Sequence, residues 1–317
     1  MAEFKQLIKE RTKRLETIPD EFLSKVQRQE KRFFTEILSA LDKLKRNADG
    51  KIIFSADDLS NINIISAIQD DLKSALLGSD YTKAVDAFAQ QFDQQAVLSQ
   101  EYFDKVFPDV SKSFATADAT LAISKRRAVE SLLGEPLDNE LLKPITNLLE
   151  DAVTSNASWA ETVANIRDYV EGTPEADGRL LRYAKQIAHD EFSIADRSYT
   201  NAVAEEIDAV WYSWNGNELP TSRCFCEERK GNYFHYKEIE QWGDGVNVGD
   251  CETGGGEWAG RREGTNAQTI FQYAGGYGCI DSVNPVSIFD IPMEVIQRNI
   301  SNGNFEPSEK EIEMLGL

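Results

Sequence analysis

The chain has 317 residues, with 34 Lys+Arg against 54 Asp+Glu and a formal net charge of −20. Its 41% hydrophobic content is too high for a disordered chain, and the length suits about two domains that each bury a core. No apolar run approaches the ~18 residues that span a bilayer, and the acidic total excludes a non-specific nucleic-acid coat, which needs excess Lys and Arg to replace phosphate counterions.

The start, Met1-Ala2-Glu3-Phe4-Lys5, reads without a signal-peptide segment, so neither secretion nor membrane insertion is expected. Residues 1–46 carry about 12 basic and about 8 acidic side chains, leaving about −24 on the remainder. This stretch reads either as the solvated face of an amphipathic helix or as a basic arm that touches DNA or an acidic partner.

The first two thirds read as helices. Asp20, after Pro19, is the expected N-cap of one, with Leu23, Val26, Phe33, Phe34, Ile37, Leu38, Leu41 and Leu44 at helical spacing. Asn47-Ala48-Asp49-Gly50 ends it, and Lys51-Ile52-Ile53-Phe54 is a short strand or an extended link. A helix from about Ser79 to Phe107 puts Ala84, Phe88 and Phe92 on one face before Pro108. Another is expected from Val110 to Leu133. The next begins near Asp138, with Pro144 in its first turns or kinking it.

Ser158-Trp159-Ala160-Glu161 matches a capping box, opening a helix that ends near Gly172-Thr173-Pro174. A long helix then runs from about Asp177 to Ile207, with Leu180, Tyr183, Ile187, Phe192, Ala195 and Tyr199 on its apolar stripe. His189, in mid-helix, reads as structural rather than as a ligand or base. Nothing in these helices has catalytic spacing.

The character changes after Ile207. Val210-Trp211-Tyr212-Ser213-Trp214 has strand composition and Asn215-Gly216-Asn217 is a turn. From there to Pro292 the chain is rich in Gly, aromatic residues and Cys, which predicts a compact β-containing module with irregular loops. A short helix over Met293–Asn299 and a polar, acidic tail to Leu317 follow. The expected fold class is therefore α+β: a helical domain over 1–176, a Cys/Gly/aromatic-rich α+β module over 177–292, and a short helix with tail over 293–317.

All four cysteines, Cys224, Cys226, Cys251 and Cys279, fall inside this module. Four thiolates suit a structural zinc site, but Cys-x-Cys with two isolated partners departs from the paired Cys-x-x-Cys turns that aim sulfurs at one metal. Disulfides and reduced, buried thiols are the other readings, and cytosolic synthesis favours the reduced state. No metal ligand and no cofactor is assigned, these four being the zinc candidates. A Cys226–His235 dyad lacks an orienting Asn or Asp. Two His in the whole chain cannot build a His-rich zinc hydrolase site. Gly254-Gly255-Gly256 lacks the Gly-Lys-Ser/Thr of a phosphate loop and reads as a hairpin tip.

The order of short motifs is more informative. Trp211-Tyr212-Ser213-Trp214-Asn215-Gly216 leads to Thr221-Ser222-Arg223-Cys224-Phe225-Cys226 and to Arg229-Lys230-Gly231-Asn232-Tyr233-Phe234. Glu238-Ile239-Glu240-Gln241-Trp242 and Trp258-Ala259-Gly260 follow, and Gly275-Gly276-Tyr277-Gly278-Cys279 with Pro285-Val286-Ser287 closes the run. The series, with its lead-in helix from Arg182-Tyr183-Ala184-Lys185 to Asn201-Ala202-Val203-Ala204, resembles the C-terminal module of the MuF-like phage minor head (head morphogenesis) proteins. The likeness covers roughly residues 177–292. The family commonly closes on Cys-Arg-His or Cys-Arg-Cys, where this chain has Cys279-Ile280-Asp281, so part of any site completed by those residues is expected to be lost.

The resemblance implies a structural, non-enzymatic protein of a tailed phage, made in the host cytoplasm and placed inside the head near the portal for head assembly and DNA packaging or delivery. Its implied partners are the portal and/or major capsid protein, with packaged DNA nearby but not tightly bound, and no membrane. Arg223, Cys224, Cys226, Gly231, Trp242, Gly276, Cys279 and Pro285 are expected to shape the module, with no catalytic residue. The rival readings are an ADP-ribosyltransferase-type toxin or effector and a cytosolic zinc- or nucleic-acid-binding module.

Overall fold

Leu15, Ile18, Phe22, Val26, Phe33, Ile37 and Leu41 recur at helical spacing and are all buried, so one helix, α1 (Ala2–Leu41), takes in almost the whole basic start. Pro19 lies inside it rather than at its beginning, and Asp20 is a mid-helix residue, not its N-cap. A proline there removes one backbone hydrogen bond at a cost of about 3 kcal/mol, which the apolar face buried on either side outweighs. The basic stretch is thus an amphipathic helix, with two charges of α1 buried rather than solvated, Arg11 fully and Glu30 nearly so.

The computed structural model describes residues 2–54, 60–78, 80–217, 220 and 222–317. The expected helix start at Ser79 and Thr221 of the motif series lie outside these. The α+β class holds, with a mostly helical N-terminal part and a small sheet-bearing C-terminal part. The chain forms two compact units, each assembled from separate stretches: 1–17, 91–125 and 189–317 in one, 18–90 and 126–188 in the other. They do not follow the linear boundaries at 176 and 292.

In the unit built from 18–90 and 126–188, α2 (Ser60–Leu77) packs on α6 (Lys143–Thr154) through buried Ile65, Ile68 and Leu72 and buried Ile145 and Leu149. Phe22 stacks on Phe88 of α3 (Asp80–Val106), centroids 4.8 Å apart. Helix α4 (Ala115–Leu133) starts later than expected and is followed by α5 (Glu135–Leu137) and a π-turn over Asp138–Leu142. Pro144 sits in the first turn of α6, where a missing N–H is tolerated. Ser158 caps α7 (Trp159–Glu171) by accepting from Glu161 N at 3.2 Å. Lys51 and Ile52 form only isolated bridges. A two-residue hairpin, β1 (Gly172–Thr173) and β2 (Ala176–Asp177), leads into α8 (Arg179–Glu206).

In the other unit, β3 (Trp211–Asn215) is the centre of a three-stranded antiparallel sheet, between β4 (Tyr233–His235) and β7 (Ser282–Pro285). Because side chains alternate along a strand, β3 serves two cores. Tyr212 and Trp214 join Phe225, Phe234, Trp242, Trp258 and Phe271 in one cluster. Trp211 joins Val286, Ile291, Ile296 and Phe305 in the other. Only short helices interrupt the loops: α9 (Cys224–Glu227), α10 (Tyr236–Gly243) and α11 (Ile270–Tyr273), with a small hairpin of β5 (Glu252–Gly254) and β6 (Glu257–Trp258).

The tail is more ordered than its composition suggests. After α12 (Met293–Ser301), Phe305 is buried edge-on against Trp211 at 5.2 Å. A further helix, α13 (Glu309–Leu315), starts on a capping box between Ser308 and Glu311. Among the described residues, no helix is long and apolar enough to cross a membrane.

Candidate functional site

The cysteine-bearing loops converge beside the aromatic cluster. Arg223, Cys224 and Cys226 lie on or next to α9, whose single turn faces Cys224 and Cys226 differently. Cys224 is disulfide-bonded to Cys251, whereas Cys226 and Cys279 are free and buried. This corrects the favoured reading of four reduced thiols, and it leaves two free sulfurs where the alternative of a four-thiolate zinc site needs four.

The free pair is close. Cys226 Sγ and Cys279 Sγ are 3.8 Å apart, and a carboxylate oxygen of Asp281 lies within 4.8 Å of both sulfurs, with all three residues buried. Asp281 therefore stands where the sequence suggested that a site had been lost. Its Oδ2 accepts from the Trp214 indole Nε1 at 2.9 Å, and Lys230 Nζ lies 3.8 Å from its Oδ1. Lys230 also donates to Asn217 O and Ser222 Oγ, each at 2.6 Å.

Arg197 of α8 fixes the chain on either side of these groups. Its guanidinium donates to the carbonyls of Gln272 (2.6 Å), Cys279 (3.0 Å) and Asp281 (2.8 Å). Gly275 N donates to Cys279 Sγ at 3.3 Å, and a β-carbon on Gly275 would overlap Cys226 Sγ. Gly276 has φ +99°, and a side chain there would collide with the Gly260 carbonyl. A cavity of about 190 Å³ opens on the group, lined by Ser222, Arg223, Lys230 and the Gly278–Asp281 segment.

Proton affinities follow from this crowding. Sharing a proton with Cys279, together with burial, pushes the Cys226 thiol up, while accepting that hydrogen bond holds Cys279 below the ordinary thiol range. Burial raises Asp281, against the pull of the Trp214 hydrogen bond and of Lys230.

The remaining predicted residues shape the surroundings. Arg223 donates to the Tyr277 and Gly275 carbonyls. Gly231, at φ +75°, turns the chain so that its N–H reaches Trp214 O at 2.8 Å. Trp242 packs edge-on to Trp214, Phe225 and Phe234. Pro285 pairs with Tyr212 and its carbonyl accepts from Tyr102. Arg229, which the sequence reading did not single out beyond its motif, lies 3.6 Å over the Phe225 ring and 4.2 Å over Trp242; burial lowers its pKa to about 10.

His235 is not a partner for a cysteine nucleophile. It caps α10, accepting from Lys237 N at 3.4 Å, and packs edge-on to Trp211 and tilted against Phe305. The groups missed by sequence reasoning, Arg197 and Asp281 above all, are ordinary charged residues whose burial no local pattern announces. No protein-family profile, curated protein or solved structure matches this chain.

Proposed function

We propose that the chain is a structural minor head protein of a tailed bacteriophage, of the MuF-like kind, acting near the portal in head assembly and DNA packaging or delivery. One observation carries the proposal: the ordered motif series is also a spatial unit. Its first motif, in β3, pairs directly with its last, in β7, and Phe225, Phe234, Trp242 and Trp258 from the intervening motifs fill the cluster against Trp214. Scattered coincidental matches would not be expected to share one core.

The physical character suits the role. Exposed Phe289, Met293, Ile312 and Met314 offer apolar contact to a portal or major capsid protein. The net charge of −20 repels phosphates, so packaged DNA can pass without sticking. The module's residues act as scaffold rather than as catalysts in this reading. Proteomics of purified particles, with co-purification of portal protein, tests it: a few copies per particle inside the head are expected, and absence from both particle and portal fraction overturns it.

A further inference from the structure

We infer that Cys226, Cys279 and Asp281 form a binding site for one thiophilic divalent cation, zinc being the natural occupant. The inference is independent of the proposed role in the phage head.

The spacing is the first reason. Two thiolates on one tetrahedral zinc, each at ~2.3 Å, stand ~3.8 Å apart. The free sulfurs of Cys226 and Cys279 are separated by 3.8 Å. The third group, a carboxylate oxygen of Asp281, is within 4.8 Å of both. Two sulfurs and one oxygen make a donor set suited to zinc rather than to calcium or magnesium, which take oxygen alone.

The surroundings are the second reason, because Asp281 and Cys279 are each held by groups behind them. The Trp214 indole orients the Asp281 carboxylate. Gly275 N–H points at Cys279 Sγ, the place where an amide supports a metal-bound thiolate. Arg197 clamps the carbonyls of Cys279 and Asp281, so the two donors from this segment are set by one buried guanidinium. Gly275 has no side chain to fill the space beside Cys226 Sγ.

Charge is the third. Binding replaces the two thiol protons by one divalent cation: M²⁺ joins two thiols and one carboxylate, and two protons leave to solvent. The net charge of the pocket, including Lys230 and Arg197, is unchanged by that exchange. The cavity of about 190 Å³ leaves the fourth position facing Ser222, Arg223 and Lys230, open to water or a small anion. An open fourth position distinguishes this site from a closed structural zinc site with four protein ligands.

The test uses the full-length protein, purified without chelator and then titrated with zinc against a chromophoric chelator. The inference expects one zinc per chain, and at least tenfold slower alkylation of Cys226 and Cys279, mapped by peptide mass spectrometry, when zinc is present. Cobalt in place of zinc should give a thiolate charge-transfer band. That band should vanish in Cys279→Ser and persist in Cys251→Ser, while Asp281→Asn should weaken affinity at least tenfold. Zinc below one tenth of an equivalent, alkylation indifferent to zinc, or a native Cys226–Cys279 disulfide in non-reduced peptide maps each overturns it. Unaltered zinc binding by a folded Cys279→Ser variant also overturns it. The wild-type stoichiometry and alkylation rates stand even where a variant does not fold.

Discussion

The Trp214 indole donates to the Asp281 carboxylate at 2.9 Å across 67 residues of sequence, joining the central strand to the loop that carries Cys279. Trp214 is fully buried and Asp281 nearly so. Gly216 presses against the same carboxylate, leaving no room for a β-carbon. Trp214→Phe keeps a ring but strands a buried charge without its donor, so it is expected to destabilise the unit by at least about 2 kcal/mol. Urea denaturation followed by tryptophan-independent circular dichroism checks this. A loss within 0.5 kcal/mol would mean that Lys230 alone satisfies the carboxylate.

A second long-range tie lies on α1. Arg11, fully buried, donates to Asp196 at 3.0 Å, Thr200 at 2.6 Å and Asn284 at 2.8 Å. Asp196 also accepts from Gln95 at 2.8 Å. Removing one charge of a buried pair leaves the other uncompensated, typically costing about 3–5 kcal/mol. Arg11→Ala should fall in that range, and the double variant Arg11→Met with Asp196→Leu should recover at least half of it. A double-mutant cycle by thermal denaturation measures both.

These two ties also mark the limit of what sequence could reveal. The strand at Trp211, the cap at Ser158 and the end of α7 at Gly172 rest on local rules, and those are legible along the chain. So was the joint gathering of the Cys/Gly/aromatic stretch. Pro19 misled because its usual place is a helix start, and only the buried face around it shows why α1 runs on. Ser308-Glu309-Lys310-Glu311 spelled a capping box that the acidic composition of the tail concealed. Asp190, Asp196 and Arg197 are of residue types that mostly face solvent, yet all three are buried on α8. Their partners lie tens of residues away, and no periodicity encodes them.

The disulfide between Cys224 and Cys251 closes 27 residues of chain that include Arg229 and Trp242. A loop of that length lowers the entropy of the unfolded chain by the equivalent of about 3 kcal/mol. Reducing agent, or Cys251→Ser, should cost about that much, and the variant should no longer respond to reducing agent. Melting curves with and without reductant decide it: an equal response from wild type and variant would place the effect elsewhere.

Glu30 is buried and accepts from Leu181 N at 3.0 Å at the start of α8. Burial, opposed by that hydrogen bond and reinforced by Asp177 and Glu171, raises its pKa from 4.5 to about 7. The folded state therefore holds the proton more tightly than the unfolded state. Stability from this group is fully present below pH 4.5 and declines as pH rises to about 7, by up to about 3 kcal/mol. Glu30→Gln keeps an acceptor for Leu181 and should flatten the decline, making the variant more stable than wild type at pH 8. Equal stability profiles for the two proteins would show that the carboxyl ionises without cost.

His235 imposes the opposite slope in the other unit. It is buried, its Nδ1 accepts the Lys237 amide, and its ring packs between Trp211 at 5.0 Å and Phe305 at 5.8 Å. Burial, then the charge of Lys237, lowers its pKa from 6.5 to about 4. Here the unfolded state binds the proton more tightly, so stability is complete above pH 6.5 and is lost as pH falls toward 4, again by up to about 3 kcal/mol. Protonation would also convert the capping acceptor into a donor facing an N–H, which ties the loss to the start of α10. His235→Asn retains a capping acceptor without the titration. It should be less stable than wild type at pH 7.5, through the lost ring contacts, yet lose less on acidification to pH 4.5. Denaturation series at pH 4.5, 5.5, 6.5 and 7.5 separate the two effects, since only the titration changes the slope with pH.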